Sequence, residues 1–265
     1  MPDESIAHIK VNIFADRAQM GAAAARTTAD IIRHLLASQP VVNMIFAAAP
    51  SQNEFLAALS EQPIEWSRIN AFHMDEYIGL DEDSPQSFAL YLKKHLFDKT
   101  PFQSIHYLRG DAEDLTAECR RYATLLKQLP PDIVCMGIGE NNHIAFNDPP
   151  VADFNDREMV KVVTLDADCR QQQVNDGCFP SLAVVPEQAL TLTICALVQG
   201  RHIICVVPGE RKAKAVHHTL HSPIAEKYPS TILRQHHAVE MFLDRDSSKN
   251  IEEDPGDWER SSLLY

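Results

Sequence analysis

Short apolar runs alternate along this chain with longer stretches of helical periodicity, and this alternation limits the fold more than any other feature. The runs "VVNMIFAAAP", "INAFHM", "DIVCMGIG", "HIICVVPG" and "AVEMFLD" are nearly continuous in apolar residues. A strand with one wet face alternates, so a continuous run implies burial on both faces. "IKVNIF" opens the series, and "SIHYL", "MVKVVTL" and "ALTLTI" add further strands. Between them, residues 18–38 carry Met20, Ala24, Ile31 and Leu35 near helical spacing. Further helices are expected over residues 52–59, capped by Ser51, and over 84–97, capped by Ser84 with Pro85 at the first position. Residues 115–129 and 210–220 complete the set. The pattern predicts an α/β fold: one open, mainly parallel sheet with helices on both faces. Residues 1–245 are expected to form a single domain. Residues 246–265 lose periodicity and gain acidic charge, so they read as a tail, loose or docked through Trp258 and the terminal Leu-Leu-Tyr.

Composition narrows the partners. Hydrophobic residues make up 45% of 265, enough for a large core without disulfides. The formal net charge of −13 argues against nucleic acid and anionic membrane surfaces, which call for basic patches. It does not argue against a small anionic substrate, because one local cation overrules the global field. The six cysteines form no C-x-x-C pair and several lie in apolar runs, as expected of buried thiols in a cytoplasmic protein. No leader pattern opens the chain, and no apolar run approaches the ~18 residues of a membrane span.

In open parallel sheets, ligands bind beyond the carboxyl ends of the strands. Four segments fall there: "AAAPSQ", "HMDEY", "GIGENNHIAFNDPP" and "VVPGERK". Asp75 follows a strand and is expected over an apolar floor, where desolvation makes a carboxylate more basic and suited to moving protons. The alternative is that Asp75 or Glu76 caps a turn. Gly137 and Gly139 permit a tight turn before His143, and Asp148 can fix the tautomer of that histidine. The alternative there is a satisfied half-buried histidine beside an ordinary Asn-Asp-Pro turn. Lys212, in the first turn of a helix after Gly209, suits an anion, or it is a solvated helix residue. The paired histidines at 217–218 and 236–237 lack a neighbouring carboxylate at ligand spacing, and no G-x-S-x-G nucleophile elbow occurs. No metal is therefore expected.

At these residues the sequence resembles the glucosamine-6-phosphate deaminase (isomerising) family, within a superfamily that also holds 6-phosphogluconolactonases. "FHMDEYIGL" is close to the family's F-N-M-D-E-Y-V-G-L, and "GIGENNHIAFNDP" to its G-x-G-x-D-G-H-I-A-F-N-E-P. The likeness runs from about Ala71 to Asp244 and implies a Rossmann-like fold. It implies that Asp75 is the base shuttling a proton between sugar carbons, that His143 assists ring opening, and that Asp148 stands where a glutamate supports that histidine. It places Lys212 in a phosphate site, with Ala49 and Ser51 in the phosphate loop. It implies a phosphorylated amino sugar as the small-molecule partner, ketose phosphate and ammonia as products, and no cofactor; a homo-oligomer stays open. Three departures stand out. Asn141 replaces the family's aspartate and Asn142 its glycine, with Glu140 a candidate substitute for the lost charge. "AAAPSQ" replaces a Gly- and Thr-rich loop. An arginine expected near Gln171 to Gln173 is missing, leaving Arg170 or Gln173 to fill its place. On this reading, Asn141→Asp is expected to raise turnover. A lactone hydrolase and a non-catalytic sugar-phosphate sensor are the competing functions.

Overall fold

A computed structural model describes residues 9–81, 83–251 and, as backbone, 258–260. The chain runs β1 (Ile9–Phe14), α1 (Arg17–Leu36), β2 (Val42–Phe46), α2 (Asn53–Ser60), β3 (Ile69–His73), β4 (Asp75–Tyr77) and α3 (Phe88–Leu92). It continues through β5 (Ser104–His106), α4 (Leu115–Gln128), β6 (Ile133–Met136), β7 (Val160–Thr164), α5 (Ala167–Asn175) and β8 (Gln188–Leu192). The last elements are α6 (Ile194–Leu197), β9 (His202–Val207), α7 (Ala213–His221), β10 (Val239–Asp244) and β11 (Trp258–Arg260).

Eight strands form one sheet in the order β11-β1-β10-β9-β6-β2-β3-β5, and every pairing in it is parallel. The continuous apolar runs are its central strands. In β6, Ile133 and Cys135 enter the apolar cluster on one face, and Val134 and Met136 enter the cluster on the other. The first cluster takes Met20, Ile32 and Leu35 of α1 with Phe55 and Leu59 of α2; the second takes Tyr122 of α4 and Val216 and Leu220 of α7. The predicted open parallel sheet with helices on both faces is therefore present.

Two runs expected as strands lie elsewhere. β7 and β8 pair antiparallel with each other, and β8 with β4, in a separate three-stranded sheet. The helix expected to begin at Ser84 starts at Phe88 instead. Ser87 caps it, accepting the N–H of Leu90, and a π-helical turn over Lys93–Phe97 continues it. The reason is Glu76, whose carboxylate accepts the N–H groups of Phe88 and Ala89 and fixes the helix start there. Most of the acidic tail lies outside the described residues, but β11 pairs parallel with β1 over Ile9–Val11.

From β2 the chain steps outward to β3 and β5, then returns to the far side of β2 as β6 and steps the other way to β9 and β10. The reversal lies between β2 and β6, and such a point opens a crevice at the carboxyl ends of the strands. The loops that follow β9, β6, β2 and β3, four adjacent strands, all empty into it.

Candidate active site

The crevice is lined by Ala49, Ser51 and Gln52 after β2, Asp75 after β3, Gly137, Gly139 and His143 after β6, and Lys212 after β9. Gln172 and Gln173 of α5 close one side, and Phe88 and Phe146 form an apolar wall.

Asp75 and Glu76 are buried, and the strand period of two sends them to opposite sides. Asp75 faces the crevice, while Glu76 borders a separate cavity beside Ser87 and Lys93. Glu76 accepts four hydrogen bonds: from the N–H groups of Tyr77 (2.9 Å), Phe88 (3.0 Å) and Ala89 (2.9 Å) and the Ser87 hydroxyl (2.9 Å). It ties β4 to α3. Burial pushes the Asp75 carboxyl well above the usual range, and the adjacent Glu76 charge adds to the effect. Such a carboxylate is a stronger base than one in water.

The loop after β6 turns tightly, with Gly139 N–H donating to the His143 carbonyl at 2.9 Å. A Cβ on Gly139 would lie 2.2 Å from the His143 ring, so only glycine lets the imidazole fold over it. Nδ1 of His143 lies 2.7 Å from Asn141 Oδ1 and 3.1 Å from Asp148 Oδ1. Two acceptors at one nitrogen hold its proton there and leave Nε2 to exchange protons with a ligand. The Asn141 amide also donates to Asp148 Oδ1 at 3.1 Å, and the Asp166 N–H donates to Asp148 Oδ2 at 3.0 Å. Burial alone would raise the Asp148 carboxyl, but the hydrogen bonds and charge of His143, with those of Asn141 and Asp166, outweigh it and hold the group below its usual value. Asn142 has a left-handed backbone (φ 68°), and its buried amide donates to Ala215 O, Thr219 Oγ1 and Ser230 Oγ. It clamps this loop to α7.

Lys212 is 8% exposed, and its side-chain ammonium makes no hydrogen bond or ion pair among the described residues. Burial lowers its affinity for the proton, and the charges of Asp176 and Glu140 partly restore it. An unpaired buried ammonium is costly without an anion, which the crevice is open to receive. Gly209 sets up this turn in a left-handed conformation (φ 92°), its N–H held by the Asp244 carboxylate at 2.9 Å.

The crevice thus gathers Asp75, His143, Lys212, Ala49, Ser51 and Gln173, with Asn141 and Asp148 behind the imidazole. Arg170 stays outside. Its guanidinium donates to the carbonyls of Leu182 and Val185, so it does not fill the missing arginine's place. Glu140 does not support His143 either, because its carboxylate faces Arg211 at 3.6 Å. Gln52 and Gln172 were missed from sequence, although each adjoins a residue already singled out. Gln52 Nε2 donates to Val206 O at 3.1 Å, and Gln172 Oε1 accepts the Glu140 N–H at 2.8 Å. Cys169 was missed too: with His143 and Asp148 it sets three possible metal donor atoms within 4.8 Å of one another.

Residues 15–242 match the family described as glucosamine-6-phosphate isomerases/6-phosphogluconolactonase. A glucosamine-6-phosphate deaminase of Exiguobacterium is 38% identical over 184 residues, 69% of this chain and 70% of the relative. Glucosamine-6-phosphate deaminase 1 of Bacillus subtilis is 34% identical over 232 residues, 85% of this chain and 92% of the relative. Among solved structures, a monomeric glucosamine-6-phosphate deaminase superposes with a TM-score of 0.83 at 32% identity, covering 92% of this chain and 100% of that one. The 6-phosphogluconolactonase of Thermotoga maritima gives 0.74 at 18% identity, covering 89% and 100%, a likeness of fold alone. The match across the body of the chain, together with relatives above 30% identity over most of their length, places this protein in the glucosamine-6-phosphate isomerase/6-phosphogluconolactonase family.

Proposed function

We propose that this chain is a glucosamine-6-phosphate deaminase-like enzyme that converts a hexosamine 6-phosphate and water into a ketose 6-phosphate and ammonia. The observation that carries the reading is one crevice holding a buried basic carboxylate, a tautomer-fixed imidazole and an unpaired buried ammonium. In this account Lys212 holds the phosphate, with Ser51 and Gln173 beside it. His143 moves a proton between the anomeric hydroxyl and the ring oxygen, opening the pyranose. Asp75 then takes the C2 proton and returns it at C1, while the proton the amine gives up in becoming an imine is balanced by the one gained at O1. The resulting C2 imine adds water and expels ammonia, so the base and the imidazole end as they began. The reaction so written calls on neither metal nor organic cofactor.

Relatives named as deaminases at 34–38% identity favour this over lactone hydrolysis, whose named neighbour is far more divergent. No helix among the described residues is long and apolar enough to cross a membrane. A cytoplasmic location belongs to the proposal, supported by six cysteines without a disulfide. The test is a substrate panel: glucosamine 6-phosphate, unphosphorylated glucosamine and 6-phosphogluconolactone. Ammonia from the first, with a large loss of kcat/KM for the second, is expected. Hydrolysis of the lactone without ammonia from either sugar would overturn the reading.

A further inference from the structure

Behind the imidazole sits a thiol that the proposed reaction does not use. Cys169, in the first turn of α5, is 1% exposed, and its sulfur lies within 4.8 Å of donor atoms of both His143 and Asp148. Asp148 is fully buried and His143 is 9% exposed. We propose that His143, Asp148 and Cys169 form a binding site for a soft divalent transition cation of the zinc class, and that its occupation switches the crevice off.

The donor set argues for that class of ion. Imidazole nitrogen, thiolate sulfur and carboxylate oxygen are the ligands zinc takes in four-coordinate sites, and three protein donors leave a fourth position for water. Magnesium and calcium need mostly oxygen donors in larger number, which a thiol and an imidazole do not supply. Charge points the same way. A thiolate, a carboxylate and a neutral imidazole around a dication sum to zero, so the cation offsets the charge it brings into a buried place. Without it, burial and the neighbouring Asp148 charge keep the thiol protonated.

Binding forms a sulfur–metal bond and releases the thiol proton to solvent. Nδ1 of His143, the nitrogen on the Asp148 side, gives its lone pair to the ion, and its proton passes to Nε2. With Nε2 protonated and Nδ1 occupied, the imidazole can no longer accept a proton from the sugar. Binding stands independently of the proposed function; the loss of activity rests on it.

The test uses cobalt(II) as a spectroscopic probe on the reduced chain. A thiolate-to-cobalt charge-transfer band saturating at about one equivalent is expected, displaced by zinc and not by magnesium. The conservative Cys169→Ser variant, checked for an unchanged circular dichroism spectrum, should lose the band. A band that survives in Cys169→Ser, or its absence in the parent chain, would overturn the site. Zinc should also inhibit ammonia release reversibly, and Cys169→Ser should need about ten-fold more zinc or higher for the same inhibition. Equal sensitivity of the two chains would overturn the inhibitory role.

Discussion

At Asn141 a single amide decides how the histidine is held. Its carbonyl oxygen faces His143 Nδ1 and its nitrogen donates to Asp148, so it satisfies both partners at once. The family likeness implies that Asn141→Asp speeds turnover; the geometry argues for the opposite outcome. A second carboxylate would lose the donor and repel Asp148, and like charges at such range raise one pKa sharply. Turnover of Asn141→Asp is therefore expected to fall about ten-fold at neutral pH, and a faster enzyme in a steady-state assay would refute this arrangement. Asp75 carries a cost of its own. Its folded-state pKa lies above the unfolded one, so its contribution to stability is full below the unfolded carboxylate range and is lost as pH rises through the folded value. Asp75→Asn should melt at a higher temperature than the parent at neutral pH, and a lower melting point there would show that the carboxylate is not held against burial.

At the scale of elements, the loop after β6 depends on a residue that breaks the family pattern. Asn142 accepts a left-handed backbone and repays the strain with three buried hydrogen bonds to α7 and the segment beyond it. Asn142→Ala keeps the strain and removes those bonds, so a loss of roughly 2–3 kcal/mol in denaturant unfolding is expected. A change within about 0.5 kcal/mol would mean the clamp is slack. The strands that build the crevice were legible because burial on both faces leaves a continuous apolar run, which few other structures produce. The start of α3 was not, because Glu76, twelve residues before Phe88 in sequence, decides it through space. The small antiparallel sheet was hidden for a related reason: β4 is three residues long and defined only by its partner β8. At the site, Asp75, His143 and Lys212 were readable from their places after strands. Arg170 was misplaced because proximity in sequence says nothing of which way a helix turns its side chains. Cys169 carried no signal, since its neighbours His143 and Asp148 come from another loop.

For the whole molecule, burial of a histidine adds a sensitivity to acid. His73, at the end of β3, is fully buried, accepts the Leu108 N–H at 2.8 Å, and is driven by desolvation from 6.5 down to about 4. The unfolded chain binds this proton first, so the contribution of His73 to stability is expected to fall by roughly 3 kcal/mol as pH drops from about 6.5 to about 4, while the raised carboxyls of Asp75 and Glu76 act in the opposite direction. Asp148, held below its usual range, adds a loss below that window, as pH falls from the unfolded carboxylate value through the folded one. Chemical denaturation of the parent beside His73→Asn isolates the histidine: the parent should lose stability relative to the variant as pH falls across this range, and an equal pH dependence of the two would place the sensitivity elsewhere. The sheet, the crevice at its point of reversal and the groups gathered there support one proposal: that Asp75 is the base of a sugar-phosphate deamination. The most direct test is ammonia release from glucosamine 6-phosphate by the purified chain beside Asp75→Asn. The parent should release ammonia and ketose phosphate in equal amounts, and the folded variant should be slower by about 10²–10⁴-fold. Release at the parent's rate by Asp75→Asn, or none from the parent, would contradict the account.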